Sequence, residues 1–266
     1  MRIAWPLLLL CGCTQEATIV PNRIVSNNPC IDAVLAEVAD PQTIGAISSY
    51  SKQADSSSAP LAWARRYPAI GANAEELIAA RPRLVLSGAY ASSGTNAALA
   101  RAGIAVRSFG VPATLADSLE QVKAIANAIG RGPQGKSLEQ RMARAATPIR
   151  DRRSAIIWTS GGFVAGQGTI QDEMLNRAGF HNASARYGLR QWDILPLETL
   201  IRRPPDVIFM PTRAKGDDAR ALALRQRVLD HLRGRTQVVA FPDHLLNCGG
   251  PSVIEAMRVF KAVPKS

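Results

Sequence analysis

The sequence predicts an α/β protein of two similar lobes, each on a central, largely parallel sheet, with a helical connection between them. Three observations carry that prediction. First, a helix–strand unit occurs twice: residues 75–86 read EELIAARPRLVL and residues 198–209 read ETLIRRPPDVIF. Glu75 matches Glu198, Leu77 matches Leu200, Ile78 matches Ile201 and Pro82 matches Pro205, all at one offset of 123 residues (198 − 75). Second, short apolar runs alternate with helical patterns on either side of residues 115–146. Third, that middle stretch carries helical periodicity alone and separates the two copies. An offset of this size is too long for a solenoid repeat, so it points to duplicated lobes.

Taken in order, Arg23-Ile24-Val25-Ser26 reads as a first strand. A helix follows from about Ile31 to Val38, with Ile31, Val34, Leu35 and Val38 at helical spacing. Ile44-Gly45-Ala46-Ile47 is a short second strand. Ser48 to Pro60 is a serine-rich segment around Tyr50, Lys52 and Asp55, expected to be exposed. The first repeat copy has a carboxylate in the first turn of its helix, a proline-containing stop, and a strand at Leu84–Ser87. A helix ends over Leu99–Gly103, and Ile104-Ala105-Val106 is expected to be a strand. Leu119, Val122, Ile125, Ala126 and Ile129 form a helical stripe that stops at Gly130-Arg131-Gly132-Pro133. A second helix runs from about Gly135 to Ala146 and reads as a stiff connection.

The second lobe opens with strand Ala155–Thr159. The glycine-rich run from Gly161 to Thr169 lacks the Gly-Lys-Ser/Thr ending of a P-loop and the dinucleotide Gly-x-Gly-x-x-Gly pattern. Ile170 to Ala178 is a helix closed by Gly179. After Trp192 and the second repeat copy come strand Val238–Phe241 and helix Val253–Phe260. The divisions expected are a leader over residues 1–13, a first lobe over 14–114, a connector over 115–153 and a second lobe over 154–266.

Met1-Arg2 and the apolar run Ile3–Leu10 form an export signal too short to span a bilayer. Leu10-Cys11-Gly12-Cys13 resembles the lipobox of bacterial lipoproteins, with Cys13 as the acylated residue because small Gly12 precedes it. The alternative is a secreted protein with an ordinary cleavage site. Export leaves Cys30 and Cys248 as an even pair in an oxidising compartment. A Cys30–Cys248 disulfide is the simplest expectation; the rivals are two free thiols, or a metal site joining Cys30, Cys248 and His244.

Thirty-two basic against 21 acidic residues give a net charge of +11. The arginines are scattered, and no strip of aromatics accompanies them for base stacking, so the charge reads as a solvated surface and not a nucleic-acid interface. His181, His231 and His244 form no metal-ligand spacing with one another. No Gly-x-Ser-x-Gly elbow is present, which disfavours an exported α/β hydrolase; His244 with Asp243 could serve as a base with Ser160, but nothing in the spacing requires it.

Several marks together resemble the periplasmic solute-binding components of ABC importers for vitamin B12 and ferric siderophores. They are Arg23-Ile24-Val25-Ser26, Ser48-Ser49-Tyr50-Ser51, the doubled Glu-x-Leu-Ile unit, Gly166-x-Gly168-Thr169, and Pro251-x-x-x-Glu255-Ala256. The resemblance covers nearly the whole chain after the leader. It implies two α/β lobes joined by one long rigid helix, a ligand held between them, and a likeness to binding proteins and not to enzymes. It further implies an inner-membrane permease and ATPase as partners, a monomeric periplasmic chain, and a membrane tether only if Cys13 is acylated. Glu75 and Glu198 fall where the family docks onto its permease, with Glu76 as the alternative to Glu75 and favourable helix-dipole placement as the plainer reading of both.

No cofactor is expected; the cargo is a metal chelate. Tyr50, Phe163 and Trp192 resemble the aromatic contacts of the vitamin B12 binder, and flat rings suit a planar corrin. Asp243 and His244 occupy the corresponding loop of the second lobe. The chain lacks the tryptophan expected near Ala69-Ile70-Gly71, and Cys30 and Cys248 are not at that protein's disulfide positions. A ferric siderophore or haem is the alternative cargo, with Arg186, Arg190 or Arg213 as partners for its anionic groups. A surface haem or corrinoid carrier without a permease is a further alternative.

Overall fold

Asn28 starts the first helix. Its side-chain oxygen accepts the N–H groups of Cys30 at 2.8 Å and Ile31 at 3.3 Å, and Pro29 brings a preset φ to the first helical position. The computed structural model describes residues 21–89, 92–211 and 218–264. The leader, with Cys11 and Cys13, and Arg213 lie outside them.

The first lobe runs β1 (Ile24–Ser26), α1 (Pro29–Val38), β2 (Ile44–Ser48), α2 (Leu61–Ala64), β3 (Ala69–Ile70), α3 (Ala74–Ala79), β4 (Leu84–Gly88), α4 (Ser93–Arg101) and β5 (Val106–Phe109). Its five strands are all parallel, in the order β3-β2-β1-β4-β5. Two expectations are corrected. The strand expected at Ile104 begins at Val106, because Ile104 finishes α4: its N–H bonds the Leu99 carbonyl at 3.0 Å, and Gly103 bonds that of Ala100. The serine-rich segment is not a free loop. Ser51 and Ser57 are buried, and residues 49–52 form a 3₁₀ turn.

The connection differs from a single long helix. It comprises α5 (Leu115–Ala128) and α6 (Gly132–Ala145), fourteen residues each. Thr114 and Asp117 cap α5 reciprocally, and α6 folds back against it. Gly135 is the contact that permits this, since a Cβ there would lie 2.4 Å from that of Ala126. Two helices in mutual contact make a thicker joint than one rod.

The second lobe runs β6 (Ser154–Ile157), β7 (Phe163–Ala165), α7 (Ile170–Arg177), β8 (His181–Asn182), β9 (Trp192–Ile194), α8 (Leu197–Arg202), β10 (Val207–Pro211), α9 (Ala219–Leu232), β11 (Gln237–Phe241) and α10 (Ser252–Lys261). Four parallel strands lie in the order β11-β10-β6-β8, while β7 and β9 form a separate antiparallel ribbon. The duplication is visible at residue level. α3 and α8 begin 123 residues apart (197 − 74), and so do β4 and β10 (207 − 84). Strand β4 lies between β1 and β5, and β10 lies between β6 and β11.

Each lobe buries both faces of its sheet, as parallel sheets require. Val25, Leu77, Val85 and Leu99 fill the outer face of the first lobe, and Ile156, Leu200, Ile208 and Val228 that of the second. The inner faces are continuous with one another. Ile24, Val34 and Leu86 of the first lobe join Val122, Ile125, Leu138 and Met142 of the connector, and these join Ile157, Phe209, Phe241 and Phe260 of the second. Phe209 meets Phe180, Phe241 and Phe260 edge-on. Lobes sharing one core cannot swing apart without exposing apolar surface, at roughly 25 cal/mol per Å².

Candidate functional site

Parallel α/β sheets place ligands beyond the carboxyl ends of their strands, and a cavity of about 550 Å³ lies there, between the lobes. Asp55 and Ser56, past the end of β2, line it from the first lobe. From the second lobe come Thr159 and Ser160 after β6, Phe163 and Trp192 at the starts of β7 and β9, Pro211 at the end of β10, and Asp243, Leu246 and Asn247 after β11.

The aromatic wall follows from the ribbon's register. Phe163 pairs with Ile194 and Ala165 with Trp192, so these four side chains emerge on one face. Phe163 and Trp192 are 41% and 40% exposed, unusual for rings of their size in so well packed a chain. Gly161 and Gly162, at φ 69° and 78°, turn the chain from β6 into the ribbon through left-handed conformations that side-chain-bearing residues rarely adopt. The glycine-rich run is therefore turn geometry. Its Thr169 caps α7 by accepting the Asp172 N–H at 3.1 Å.

The remaining candidates separate. Phe163, Trp192 and Asp243 come together in the cavity. Tyr50 does not line it; it stands 57% exposed on the 49–52 turn that leads to Asp55. His244 also stays out of the lining, with its Nε2 3.2 Å from the Glu255 carboxylate of α10. Ser160 and Asp243 thus share a cavity without a histidine among its described lining residues, and no triad is assembled. Asp55, Ser56, Thr159, Pro211, Leu246 and Asn247 were missed by sequence reasoning. Their one signal is position at, or in the segment after, the carboxyl end of a strand.

Cys30 and Cys248 are joined by a disulfide, with Cα atoms 5.3 Å apart and a sequence separation of 218. The bond links the start of α1 in the first lobe to the loop before α10 in the second. Two hydrogen bonds accompany it: Ser58 Oγ donates to the His244 carbonyl at 2.7 Å, and the Gly250 N–H donates to Ser118 Oγ at 2.7 Å. Beneath the cleft, Asp32 is fully buried. One of its oxygens, Oδ2, accepts the Ser48 N–H at 2.9 Å and the Ser51 hydroxyl at 2.6 Å. Burial pushes this carboxyl up from 3.8 to about 7, against the opposing pull of the nearby Ser26 hydroxyl and of the bonds from Ser51 and Ser48.

Away from the cleft, Glu75 and Glu198 are each the second residue of a six-residue helix and exposed. Neighbouring Glu76 is engaged, accepting the Gly71 N–H at 2.6 Å and the Asn73 amide at 2.6 Å, which hold its pKa down. Arg186 is also engaged, donating to the Arg203 and Pro204 carbonyls. No helix among the described residues is long and apolar enough to cross a membrane.

The family model described as periplasmic binding protein matches residues 24–234. Among solved structures, the periplasmic heme-binding protein RhuT from Roseiflexus sp. RS-1 is similar at 23% identity, covering 91% of this chain and 98% of that one, with a TM-score of 0.71. The periplasmic heme-binding protein HutB of Vibrio cholerae is 18% identical, covering 89% and 96%, at 0.73. The periplasmic vitamin B12 binding protein BtuF of Vibrio cholerae is 18% identical, covering 90% and 97%, at 0.65. Identities this low speak for the fold and not for the ligand. Among curated proteins, none matches the chain by sequence.

Proposed function

Because the chain belongs to the periplasmic binding protein family, we propose that, as the substrate-binding component of an ABC importer, it captures a corrinoid between its lobes. The observation that carries this reading is the composition of the cavity wall. Phe163 and Trp192 offer flat apolar faces, and Asp55, Ser56, Thr159, Ser160, Asp243 and Asn247 offer oxygen acceptors around them. A corrin is a large, nearly planar ring fringed with amide groups, so rings pack on its face while acceptors take its amide N–H groups. Tyr50 meets the part of the ligand that projects from the cavity.

Haem is the second reading, favoured by the fold likeness to two haem-binding proteins. Haem iron takes an axial side chain from His, Cys, Met or Tyr. The described lining contains none of these, so a bound haem would have to draw on Tyr50 at the edge of the cavity, whereas cyanocobalamin arrives with both axial positions filled.

Delivery uses Glu75 and Glu198, two exposed carboxylates at equivalent points of two lobes, matched to a two-fold partner. Glu75 is preferred over Glu76, whose carboxylate is occupied by Gly71 and Asn73. Cys13 carries the lipid that tethers the chain outside the cytoplasmic membrane, with residues 14–114 and 154–266 as the lobes and 115–153 as their joint.

Calorimetry with cyanocobalamin, haem and a ferric siderophore tests the reading. One-to-one cobalamin binding is expected. Binding of haem or the siderophore alone would move the ligand and leave the importer role in place.

A further inference from the structure

The ties around the cleft form a closed circuit. Asp32 holds Ser48 and Ser51. From there the chain is stitched turn by turn: Gln53 N–H to the Tyr50 carbonyl, Ser56 and Ser57 N–H to the Gln53 carbonyl, and the Ser57 hydroxyl to the Ala59 carbonyl. Ser58 then crosses to the second lobe through the His244 carbonyl. Four residues on, Cys248 returns to the first lobe through its bond to Cys30, two residues before Asp32. The cavity residues Asp55 and Ser56 lie on one arc of this ring, and Leu246 and Asn247 lie on the other, with Asp243 at its edge.

We propose that Asp32 and the Cys30–Cys248 disulfide are positioning groups for the ligand cleft, fixing the spacing of its two polar walls before ligand arrives. This rests on the cleft being the ligand site. The physical basis is preorganisation: walls already held at the bound separation lose little conformational freedom on binding. The shared core limits gross movement of the lobes and reaches the 243–250 turn at Leu245 and Leu246, but includes no residue of 49–58. Without the ring, residues 53–58 would lose their tie to the second lobe, and residues 243–250 would rest on Leu245 in the core and on the Gly250–Ser118 and Gln171–Leu246 bonds. Both Asp32 bonds go to a single oxygen, so an amide oxygen in the same place would preserve the tie.

Amide hydrogen exchange on the ligand-free chain tests the ring directly. In Cys30→Ser/Cys248→Ser, exchange in residues 53–58 and 243–250 should quicken by roughly tenfold, while strands β1 and β4 stay as in wild type. Asp32→Ala should loosen residues 49–58, and Asp32→Asn should restore them. If the double cysteine variant does not fold, mild phosphine reduction of the folded wild type provides the same comparison.

Unchanged exchange in both segments, or an even rise along the whole chain, would overturn the proposal. Cyanocobalamin dissociation should quicken by about tenfold in the loosened variants, with association little altered. A wild-type chain that binds neither cobalamin nor haem would sink the ligand reading alone, because the exchange pattern is read without ligand.

Discussion

Glu75 and Glu198 stand at the same place in two halves of one molecule. Each is the second residue of a six-residue helix that packs on the outer face of its sheet and feeds a five-residue strand next to the lobe's first strand. The joint between the halves is a pair of helices sharing one core with both lobes, so the separation of the two carboxylates is set by the fold. A rigid pair of acidic points suits recognition by a partner carrying paired basic pockets.

Glu75→Ala with Glu198→Ala is expected to cut ligand import by at least tenfold and to change ligand affinity by less than about twofold, since neither residue lines the cleft. Uptake by cells and calorimetry on the purified chain check the two halves of that statement. Full import by the double variant would remove the docking assignment.

Trp192→Ala is expected to weaken cyanocobalamin binding by about tenfold, or ~1.4 kcal/mol, the scale of one lost aromatic stacking contact. Trp63 and Trp158 are buried, at 8% and 2% exposure, so the ligand-sensitive emission should belong to Trp192. A fluorescence titration of Trp192→Phe checks this, and a response as large as that of wild type would place the ligand elsewhere.

The Cys30–Cys248 bond closes a loop of more than two hundred residues. Removing it as Cys30→Ser/Cys248→Ser should lower stability by roughly 2–5 kcal/mol, read from urea unfolding. Intact-mass analysis of the exported chain, alkylated without reduction, should find both cysteines unmodified.

Stability should fall as pH rises from about 4 to about 7 through the contribution of Asp32. Its carboxyl titrates at about 7 when folded, against an ordinary 3.8. Between those values the folded chain holds a proton the unfolded chain has released, and above about 7 the loss is complete. Asp32→Asn should flatten this part of the profile, a difference of order a few kcal/mol across the window. Parallel melting curves of wild type and variant across that range would reject the assignment.

The alternation of short apolar runs with helical stripes was legible because each lobe's sheet is buried on both faces, which makes strands such as Val207–Phe209 uniformly apolar. Helix α9 was not legible, because its buried positions are Arg225, Val228 and Leu232 while Leu222 and Leu224 are exposed. Arg225 lies 4.3 Å over the Trp158 ring and donates to its carbonyl, so a charged residue fills a core position and breaks the apolar stripe. The ribbon β7–β9 was equally hidden. Three-residue strands, β7 buried at two of its positions and β9 exposed at all three, are too short to show a periodicity.

The sequence by itself determined two lobes, the repeat at its offset and the helical joint, while Phe163 and Trp192 were named through the family resemblance. Local spacing and turn chemistry suffice for the elements, and residue matches at one offset suffice for the duplication. Only the tertiary structure decided that the joint is a hairpin of helices, that His244 turns to Glu255, that Asp32 holds the Tyr50 turn, and that Cys30 meets Cys248 across the cleft. Those facts depend on contacts between residues up to 218 apart, and hydrophobic patterning says which face is buried without saying what it is buried against.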